Sequence, residues 1–245
     1  MPIAFVMLPI HPSRIQIMKS TVPCLAALML LSGCNGMPTS SFASNPTYDQ
    51  AFVVYSGGPL PLLLMASAIQ WNEDYAVTAK HTPFLPGVVH EGLGDVVFFR
   101  HKAKQIPQWR QFVPGESVTA VGFNGLAMPM QGHGHALTSL VRLPGTGGGV
   151  FYSVHDGPLV KGMSGGPLFA DDGKVVGINV AYIDKDGIDA TRRPDLAKAK
   201  RISVFMPYAE IDREWQRYQY KLAHQGAEPK RPQPIAAPVA KAPGN

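Results

Sequence analysis

Ser164 lies in the segment of the sequence with the strongest catalytic character. The run Gly-Met-Ser-Gly-Gly-Pro occupies residues 162–167 and is followed by an apolar stretch. A serine hydroxyl is a weak nucleophile that needs a base to take its proton and backbone amides to stabilise the oxyanion that forms. Glycines beside the serine allow the tight turn, because they have no Cβ to block unusual torsions or an approaching substrate. The segment predicts a nucleophilic serine, and a plain glycine-rich turn is the alternative.

Two further residues could supply the base and its orienting carboxylate. His81 ends the run Tyr-Ala-Val-Thr-Ala-Lys-His, which predicts a strand followed by a turn. An imidazole titrates near neutral pH, as a general base must. Asp95 comes next along the chain and opens an apolar run, so its carboxylate could orient the imidazole and stabilise its protonated form. Asp74 and Glu91 are the alternative carboxylates.

The three segments resemble the histidine, aspartate and serine segments of the trypsin-like (chymotrypsin-fold) serine proteases, in the same order along the chain. Residues 173–181 are similar to the strand after the nucleophile in Deg-type periplasmic proteases, although no PDZ-like region follows. The resemblance covers residues 47 to 224. It implies an all-β fold of two antiparallel six-stranded β-barrels with a C-terminal α-helix. The interval from His81 to Asp95 is shorter than is usual in the family, so residues 82–94 are expected to cross directly.

The resemblance also implies roles for the residues next to the serine. The backbone N–H groups of Gly162 and Ser164 would form the oxyanion hole. Met163 stands where pancreatic-type enzymes have an aspartate that pairs with a freed N-terminus. We therefore expect a site that is ready without zymogen activation.

The primary specificity pocket is likewise assigned by resemblance. Its floor would fall near Pro158 and Leu159, and its walls would come from Val180, Ala181 and Tyr182. Because no acidic residue stands at the floor, a preference for Lys or Arg is not expected. Small or medium apolar side chains are the predicted substrates of this pocket.

Other segments predict neither a cofactor nor a metal site. Gly132–His135 holds two histidines one residue apart with no Cys or carboxylate ligand nearby, so a loop is expected. Residues 146–149 are glycine-rich but lack the Lys-Ser/Thr of a phosphate loop. His155 is interpreted as part of a turn, and His101 as a solvated strand end. The formal net charge of +5 is too small to indicate nucleic-acid binding.

Short β-prone runs separated by turns fill the centre of the chain, in keeping with its 25 Gly and 23 Pro. Many short strands without alternating helices indicate antiparallel barrels or a sandwich. A helix over residues 207–223 is predicted from Pro207 and from apolar residues spaced three and four apart. The predicted strands are Ala51–Tyr55, Leu62–Gln70, Tyr75–Thr78, Asp95–Arg100, Ser117–Phe123, Ala136–Arg142, Val150–Val154, Gly166–Ala170, Val175–Ala181 and Arg201–Met206.

The N-terminal segment has the organisation of a bacterial export signal. Lys19 precedes the apolar stretch Val22–Leu31, which is too short to span a bilayer. The following Leu-Ser-Gly-Cys resembles the lipobox of bacterial lipoproteins, in which the cysteine thiol receives a diacylglycerol. We expect translation to start at Met18 and Cys34 to carry the lipid. An ordinary signal peptide that contains a cysteine is the alternative.

These patterns divide the chain into four regions. Residues 1–33 would be the removed signal peptide, and residues 34–46 the lipidated cysteine and a flexible tether. Residues 47–225 would form the protease domain, with barrels at about 47–112 and 113–206. The Pro- and Ala-rich residues 226–245 are predicted to be disordered.

The sequence therefore predicts a serine endopeptidase that acts on proteins or peptides without a cofactor. It would be lipid-anchored in the bacterial cell envelope and would face the periplasm. The main alternative is a catalytically silent module of the same fold that binds extended peptides by strand addition. An esterase on the same fold is a third possibility.

Overall fold

A computed structural model of the chain describes residues 37–41, 46–56, 64–143, 149–184, 194–197 and 201–224. Cys34, the predicted signal peptide and the predicted tail lie outside the described residues. The strands of the described part are β1 (Thr39–Ser40), β2 (Ala51–Tyr55), β3 (Met65–Gln70), β4 (Tyr75–Thr78), β5 (Val88–Glu91), β6 (Val97–Arg100), β7 (Ser117–Phe123), β8 (Pro129–Val141), β9 (Tyr152–His155), β10 (Pro167–Ala170), β11 (Val175–Asp184) and β12 (Arg201–Pro207). The helices are a 3₁₀ helix (Pro46–Gln50), a short helix (Pro194–Ala197) and the C-terminal helix (Tyr208–His224).

The strands form two antiparallel sheets that follow each other along the chain. The first has five strands in the order β2-β3-β4-β6-β5. The second has the order β1-β8-β7-β10-β11-β12-β9, and an additional pairing between β8 and β9 closes β7–β12 into a barrel. Closure is possible because β8 is long enough to pair with β7 along its first half and with β9 along its second.

A shared apolar core holds the two sheets and the C-terminal helix together. Fully buried side chains from both sheets meet in one cluster, and Ile211 of the helix joins it. Aromatic rings extend this core beneath the helix, where Trp71 and Trp109 have ring centroids 5.0 Å apart and Tyr75 and Trp215 also 5.0 Å. None of the helices in the described part of the chain is long and apolar enough to cross a membrane.

The predicted fold class is confirmed: the chain is mostly β, with a closed six-stranded barrel, a second sheet and a C-terminal helix. The first sheet has five described strands rather than six. Its strand β5 lies in residues 82–94, where the sequence predicted a direct crossing without a strand. The C-terminal helix begins one residue later than predicted, because Pro207 is still the last residue of β12.

Part of the predicted flexible tether belongs to the folded domain. Thr39 and Ser40 form β1 and pair with Gln131 and Met130 of β8. The prediction of a flexible tether is therefore wrong for these residues, since short polar runs can gain order by pairing with a sheet edge that the sequence does not reveal.

The predicted loop at Gly132–His135 is also wrong, because these residues lie in β8. The glycines face inward, and the histidines face solvent. A Cβ at Gly132 would lie 2.0 Å from the Pro158 carbonyl oxygen, and one at Gly134 would lie 2.2 Å from the Gly157 amide nitrogen. Glycine is needed there for close approach of another backbone, and glycine in a strand weakens the sequence pattern that would otherwise predict it.

Candidate active site

His81 and Asp95 are brought together by the pairing of β4 with β6. Thr78 at the end of β4 lies opposite Val97 at the start of β6, so the residues just beyond these strand ends share one edge. The His81 Nδ1 atom lies 2.6 Å from Asp95 Oδ2, and the His81 backbone N–H donates to Asp95 Oδ1 at 2.9 Å. The interval of 14 residues contains β5, which pairs with β6 directly after Asp95.

The side chains of Asp95 and His81 differ in their exposure to solvent. The Asp95 side chain is 8% exposed, whereas that of His81 is 50% exposed. The hydrogen bond that His81 donates to Asp95 raises the pKa of His81, and the nearby negative charge adds to this, while partial burial opposes it. The alternative carboxylates do not reach His81: Asp74 pairs with Lys102, and Glu91 is exposed at the end of β5.

Tyr152 of the second barrel holds the Asp95 backbone. The buried Asp95 N–H donates to the Tyr152 hydroxyl oxygen at 2.8 Å. On the other side of the same loop, the Lys80 ammonium group donates to the Gly92 carbonyl at 2.8 Å. The position of the carboxylate therefore depends on contacts with both halves of the domain.

Ser164 lies on a turn that presses against the end of β4, the strand that leads to His81. A Cβ at Gly165 would lie 2.0 Å from Thr78 Oγ1, and Gly165 has a φ of +81°. The Ser164 hydroxyl donates to the Val180 carbonyl at 3.1 Å. Among the described contacts it makes no hydrogen bond to His81, so the serine would have to rotate to reach the imidazole.

The backbone N–H groups predicted to form the oxyanion hole lack the hydrogen bonds that neighbouring N–H groups make within the described residues. The N–H groups of Met163, Gly165 and Gly166 donate to backbone carbonyls. Those of Gly162 and Ser164 donate to no group in the described part of the chain. Gly162 has a φ of +98°, and a Cβ there would lie 2.5 Å from the Phe123 carbonyl oxygen, so only glycine fits. Two unpaired N–H groups on one turn can donate hydrogen bonds to an oxygen atom on which negative charge develops.

Ser67, a buried residue of β3, was missed in the sequence and links the first sheet to this turn. Its N–H donates to the Ser164 carbonyl at 2.9 Å, and its hydroxyl donates to the Gly162 carbonyl at 2.7 Å. The same hydroxyl accepts from the Phe123 N–H at 2.8 Å. A serine inside an apolar strand is the signal that could have drawn attention to it, but its partners are far away in sequence.

His155 is a second missed residue, and its assignment to a turn is wrong. It is the last residue of β9, it is fully buried, and burial lowers its pKa to about 4. The Asn179 amide nitrogen donates to the Gly166 and Pro167 carbonyls, so its oxygen is left to accept from His155 Nε2 at 3.2 Å. The neutral imidazole thus supports the backbone behind the serine turn.

The prediction that His101 is a solvated strand end is also wrong, because its ring stacks on Phe52 with centroids 4.2 Å apart.

The predicted pocket residues lie on two segments near the serine. Leu159 and Val180 are buried, Pro158 and Ala181 are half-buried, and Tyr182 is 39% exposed. Only Val180 contacts Ser164 through a hydrogen bond that the structure describes. No group of three or more His, Cys, Asp or Glu in the described residues could hold a metal ion.

The fold is that of a trypsin-like protease domain, as the resemblance predicted. Residues 95–178 match the family described as "Trypsin-like peptidase domain". Solved structures of an HtrA-type protease share the fold. The sequence matches no curated protein significantly.

Three solved structures illustrate the likeness. The active form of the Rv3671c protease from M. tuberculosis has a TM-score of 0.54 at 15% identity, with 74% of this chain and 87% of that one covered. The serine endoprotease from Yersinia pestis has a TM-score of 0.52 at 16% identity, with 69% and 62% covered. The HtrA-type protease AlgW, solved with a tripeptide, has a TM-score of 0.54 at 16% identity, with 72% and 61% covered. The present chain thus spans about three fifths of these last two.

Proposed function

We propose that the protein is a serine endopeptidase in which Ser164, His81 and Asp95 form the catalytic triad. The observation that carries this proposal is the 2.6 Å contact between His81 Nδ1 and the buried Asp95 carboxylate, beside the serine turn. This contact fixes the Nδ1 proton on the Asp95 side and leaves Nε2 free to act as a base. The raised pKa of His81 suits a group that must accept a proton and later return it.

The reaction would begin when the Ser164 hydroxyl rotates from the Val180 carbonyl toward His81. Nε2 takes its proton as the oxygen attacks the scissile carbonyl, and the Gly162 and Ser164 amides receive the oxyanion. His81 then protonates the leaving amine, and an acyl-enzyme remains on Ser164. Water, activated by the same imidazole, hydrolyses this ester and restores the free serine. Catalytic hydrogen bonds are often incomplete in unliganded sites, so the present serine position is compatible with this sequence of steps.

The open edge of β11 supports binding of an extended peptide. Residues 181–184 of β11 pair with β12 on one side, whereas β10 pairs only with residues 175–178 on the other. Within the described strands, the edge beside Ser164 is therefore open to a substrate strand. Backbone pairing would hold the peptide with its scissile bond at the serine.

Packing supports a site that needs no proteolytic activation. Met163 is fully buried in an apolar cluster with Leu168 and Phe205. A Cβ at Gly122 would lie 2.8 Å from the Met163 Cα atom, so the turn is closely packed from behind. An apolar residue in this position needs no charged partner, which a freed N-terminus would otherwise supply.

The predicted anchoring is part of the same proposal. Cys34 would be acylated, and the protease domain would face the periplasm from the membrane to which the lipid is sorted. Growth with an alkyne-tagged fatty acid tests this: the wild type should become labelled, and Cys34→Ser should not. Equal labelling of both proteins, or labelling of neither, would rule the anchor out.

A catalytically silent peptide-binding module is the second candidate, and the hydrogen bond from Ser164 to Val180 favours it. Cleavage of a mixed peptide substrate, followed by mass spectrometry, separates the two. An endopeptidase cleaves internal bonds in the wild type and none in Ser164→Ala, while both proteins bind the peptide. Binding without cleavage in the wild type would support the silent module and reject the endopeptidase.

A further inference from the structure

Arg201, the first residue of β12, joins the two segments that were predicted to shape the specificity pocket. Its Nη1 atom donates to the Leu159 carbonyl at 3.0 Å. Its guanidinium carbon lies 4.8 Å from the centroid of the Tyr182 ring. Leu159 belongs to the predicted floor and Tyr182 to a predicted wall, so the guanidinium group lies where these two surfaces meet.

Within the described part of the chain, most of the hydrogen-bonding capacity of this guanidinium group is unused. A guanidinium group has five N–H donors, and only the bond to Leu159 is formed in the described part of the chain. Three other described arginines are paired with carboxylates: Arg110 with Glu116, Arg213 with Glu210, and Arg217 with Glu214. Arg100 and Arg142 have no such pair in the described part of the chain, but both are exposed to solvent. Arg201 forms no ion pair with a described side chain, although it is half-buried. A partly buried charge without a partner is costly, and an anionic ligand would remove that cost.

The surrounding residues favour an anion over a cation. Lys161, next to the predicted oxyanion amides, is exposed and carries a second positive charge. The nearest acidic residue on the floor segment is Asp156, whose carboxylate already accepts a hydrogen bond from the His135 N–H. The fully buried His155 is neutral above a pH of about 4.

The direction of the substrate brings its side chain to Arg201. A peptide paired with the β11 edge at residues 180–182 would place its scissile carbonyl at Ser164, which bonds to the Val180 carbonyl. The side chain at that carbonyl, the P1 residue, would then pass between residues 158–159 and 180–182. Arg201 contacts both segments, through the Leu159 carbonyl and the Tyr182 ring, and is therefore within reach of that side chain.

We propose that Arg201 is a specificity-determining residue that binds the carboxylate of an acidic P1 side chain, glutamate or aspartate. The proposal rests on the proposed endopeptidase function, and it replaces the expected preference for small or medium apolar side chains. A planar guanidinium group can bind a carboxylate through two parallel hydrogen bonds, which a neutral amide of the same shape cannot match.

Four peptides that differ only in a P1 residue of Glu, Gln, Leu or Lys provide the test. The wild type should cleave the Glu peptide with a kcat/KM roughly 10- to 100-fold above that of the Gln peptide, the range for a hydrogen-bonded charge. Arg201→Gln keeps a donor for the Leu159 carbonyl and should abolish that ratio while still cleaving the Leu peptide. Arg142→Gln is the matched control, because Arg142 also stacks on an aromatic ring, that of Phe151 at 4.3 Å, but on the surface. Equal cleavage of Glu and Gln peptides by the wild type, or an unchanged ratio in Arg201→Gln, would overturn the proposal.

Binding to Ser164→Ala separates this proposal from the question of catalysis. The same peptides, followed by fluorescence anisotropy, should bind this variant with the Glu peptide tightest, and the preference should weaken as salt is raised. That result would support the carboxylate site even if the wild type cleaved nothing. Asp184, the backbone partner of Arg201 in the ladder, gives one more variant. A Glu preference that emerges only in Asp184→Asn would show that Arg201 is reserved for Asp184, and would overturn the proposal.

Discussion

The hydroxyl group of Ser67 donates a hydrogen bond to the carbonyl oxygen of Gly162 at 2.7 Å. Ser67 lies in the first sheet, whereas Gly162 lies on the turn that carries the proposed nucleophile in the second. The hydroxyl also accepts from the Phe123 N–H at 2.8 Å, so one oxygen joins three separate segments. The geometry of the proposed oxyanion hole therefore depends on how the two sheets are docked.

Replacing Ser67 with alanine should reduce activity more than stability. The variant leaves the Gly162 carbonyl and the Phe123 N–H without their partner, which costs about 1–3 kcal/mol of unfolding free energy. A small displacement of the turn should lower kcat on the order of 10²-fold. Ser139→Ala is the control, because its hydroxyl bonds to Asp195 and not to the serine turn. Equal effects of the two substitutions on kcat, after denaturant titration of each, would contradict this role for Ser67.

The pH dependence of activity should report the contact between His81 and Asp95. His81 must be neutral to act as a base, and its hydrogen bond to Asp95 raises its pKa. The acid limb of kcat/KM should consequently have its midpoint above 6.5, the ordinary value for histidine. Asp95→Asn should move the midpoint downward and lower kcat on the order of 10⁴-fold, a size taken from the known effect in serine proteases. A limb that stays in place in Asp95→Asn would show that another group sets it.

His155 should make the fold sensitive to acid. Burial holds its folded-state pKa at about 4, below the ordinary 6.5 that applies when the chain is unfolded. Between these pH values the unfolded chain binds the extra proton, so stability is highest above pH 6.5 and falls as the pH drops toward 4, by about 3 kcal/mol. Urea titrations across this range should show a shallower fall for His155→Gln than for the wild type. His133→Gln, at an exposed position of β8, should behave like the wild type. Parallel curves for all three proteins would refute the assignment.

Tyr152→Phe should weaken the orientation of Asp95 without disturbing the core. The phenyl ring keeps the packing of this fully buried side chain, but the Asp95 N–H loses its acceptor. We expect kcat to fall about 10-fold, or about 1.4 kcal/mol, and the acid limb of kcat/KM to move downward as the contact of Asp95 with His81 loosens. Tyr218→Phe, at a buried position of the C-terminal helix, should change neither quantity. A loss of stability with an unchanged pH profile would make Tyr152 a structural residue only.

The sequence predicted the elements that depend on local patterns. Ala51–Tyr55, Tyr75–Thr78 and Ser117–Phe123 are predicted and observed strands with the same bounds. The predicted contact partners His81 and Asp95 also meet, because a short motif places each at the end of a strand. Their catalytic roles, and that of Ser164, remain predictions.

The features of the site that could not be predicted from the sequence depend on contacts between segments that are distant along the chain. Ser67 lies 95 positions from Gly162, and Tyr152 lies 57 positions from Asp95. A serine inside an apolar strand can draw attention to Ser67, but only the docking of the two sheets reveals the partner of either residue. The loop prediction at Gly132 and Gly134 was wrong for a related reason. These glycines leave room for the backbone of residues 157–158, which are distant in sequence.

Covalent labelling of Ser164 by a fluorophosphonate tests the proposed catalytic serine most directly. Such a reagent reacts with a serine only when a base and an oxyanion site activate it. Mass spectrometry of the wild type should find one adduct, on the peptide that contains Ser164, with a rate that rises with pH as His81 loses its proton. Ser164→Ala should remain unlabelled, and His81→Ala should react far more slowly. An unmodified wild type, or the same labelling in Ser164→Ala, would contradict the proposal that this serine is an activated nucleophile.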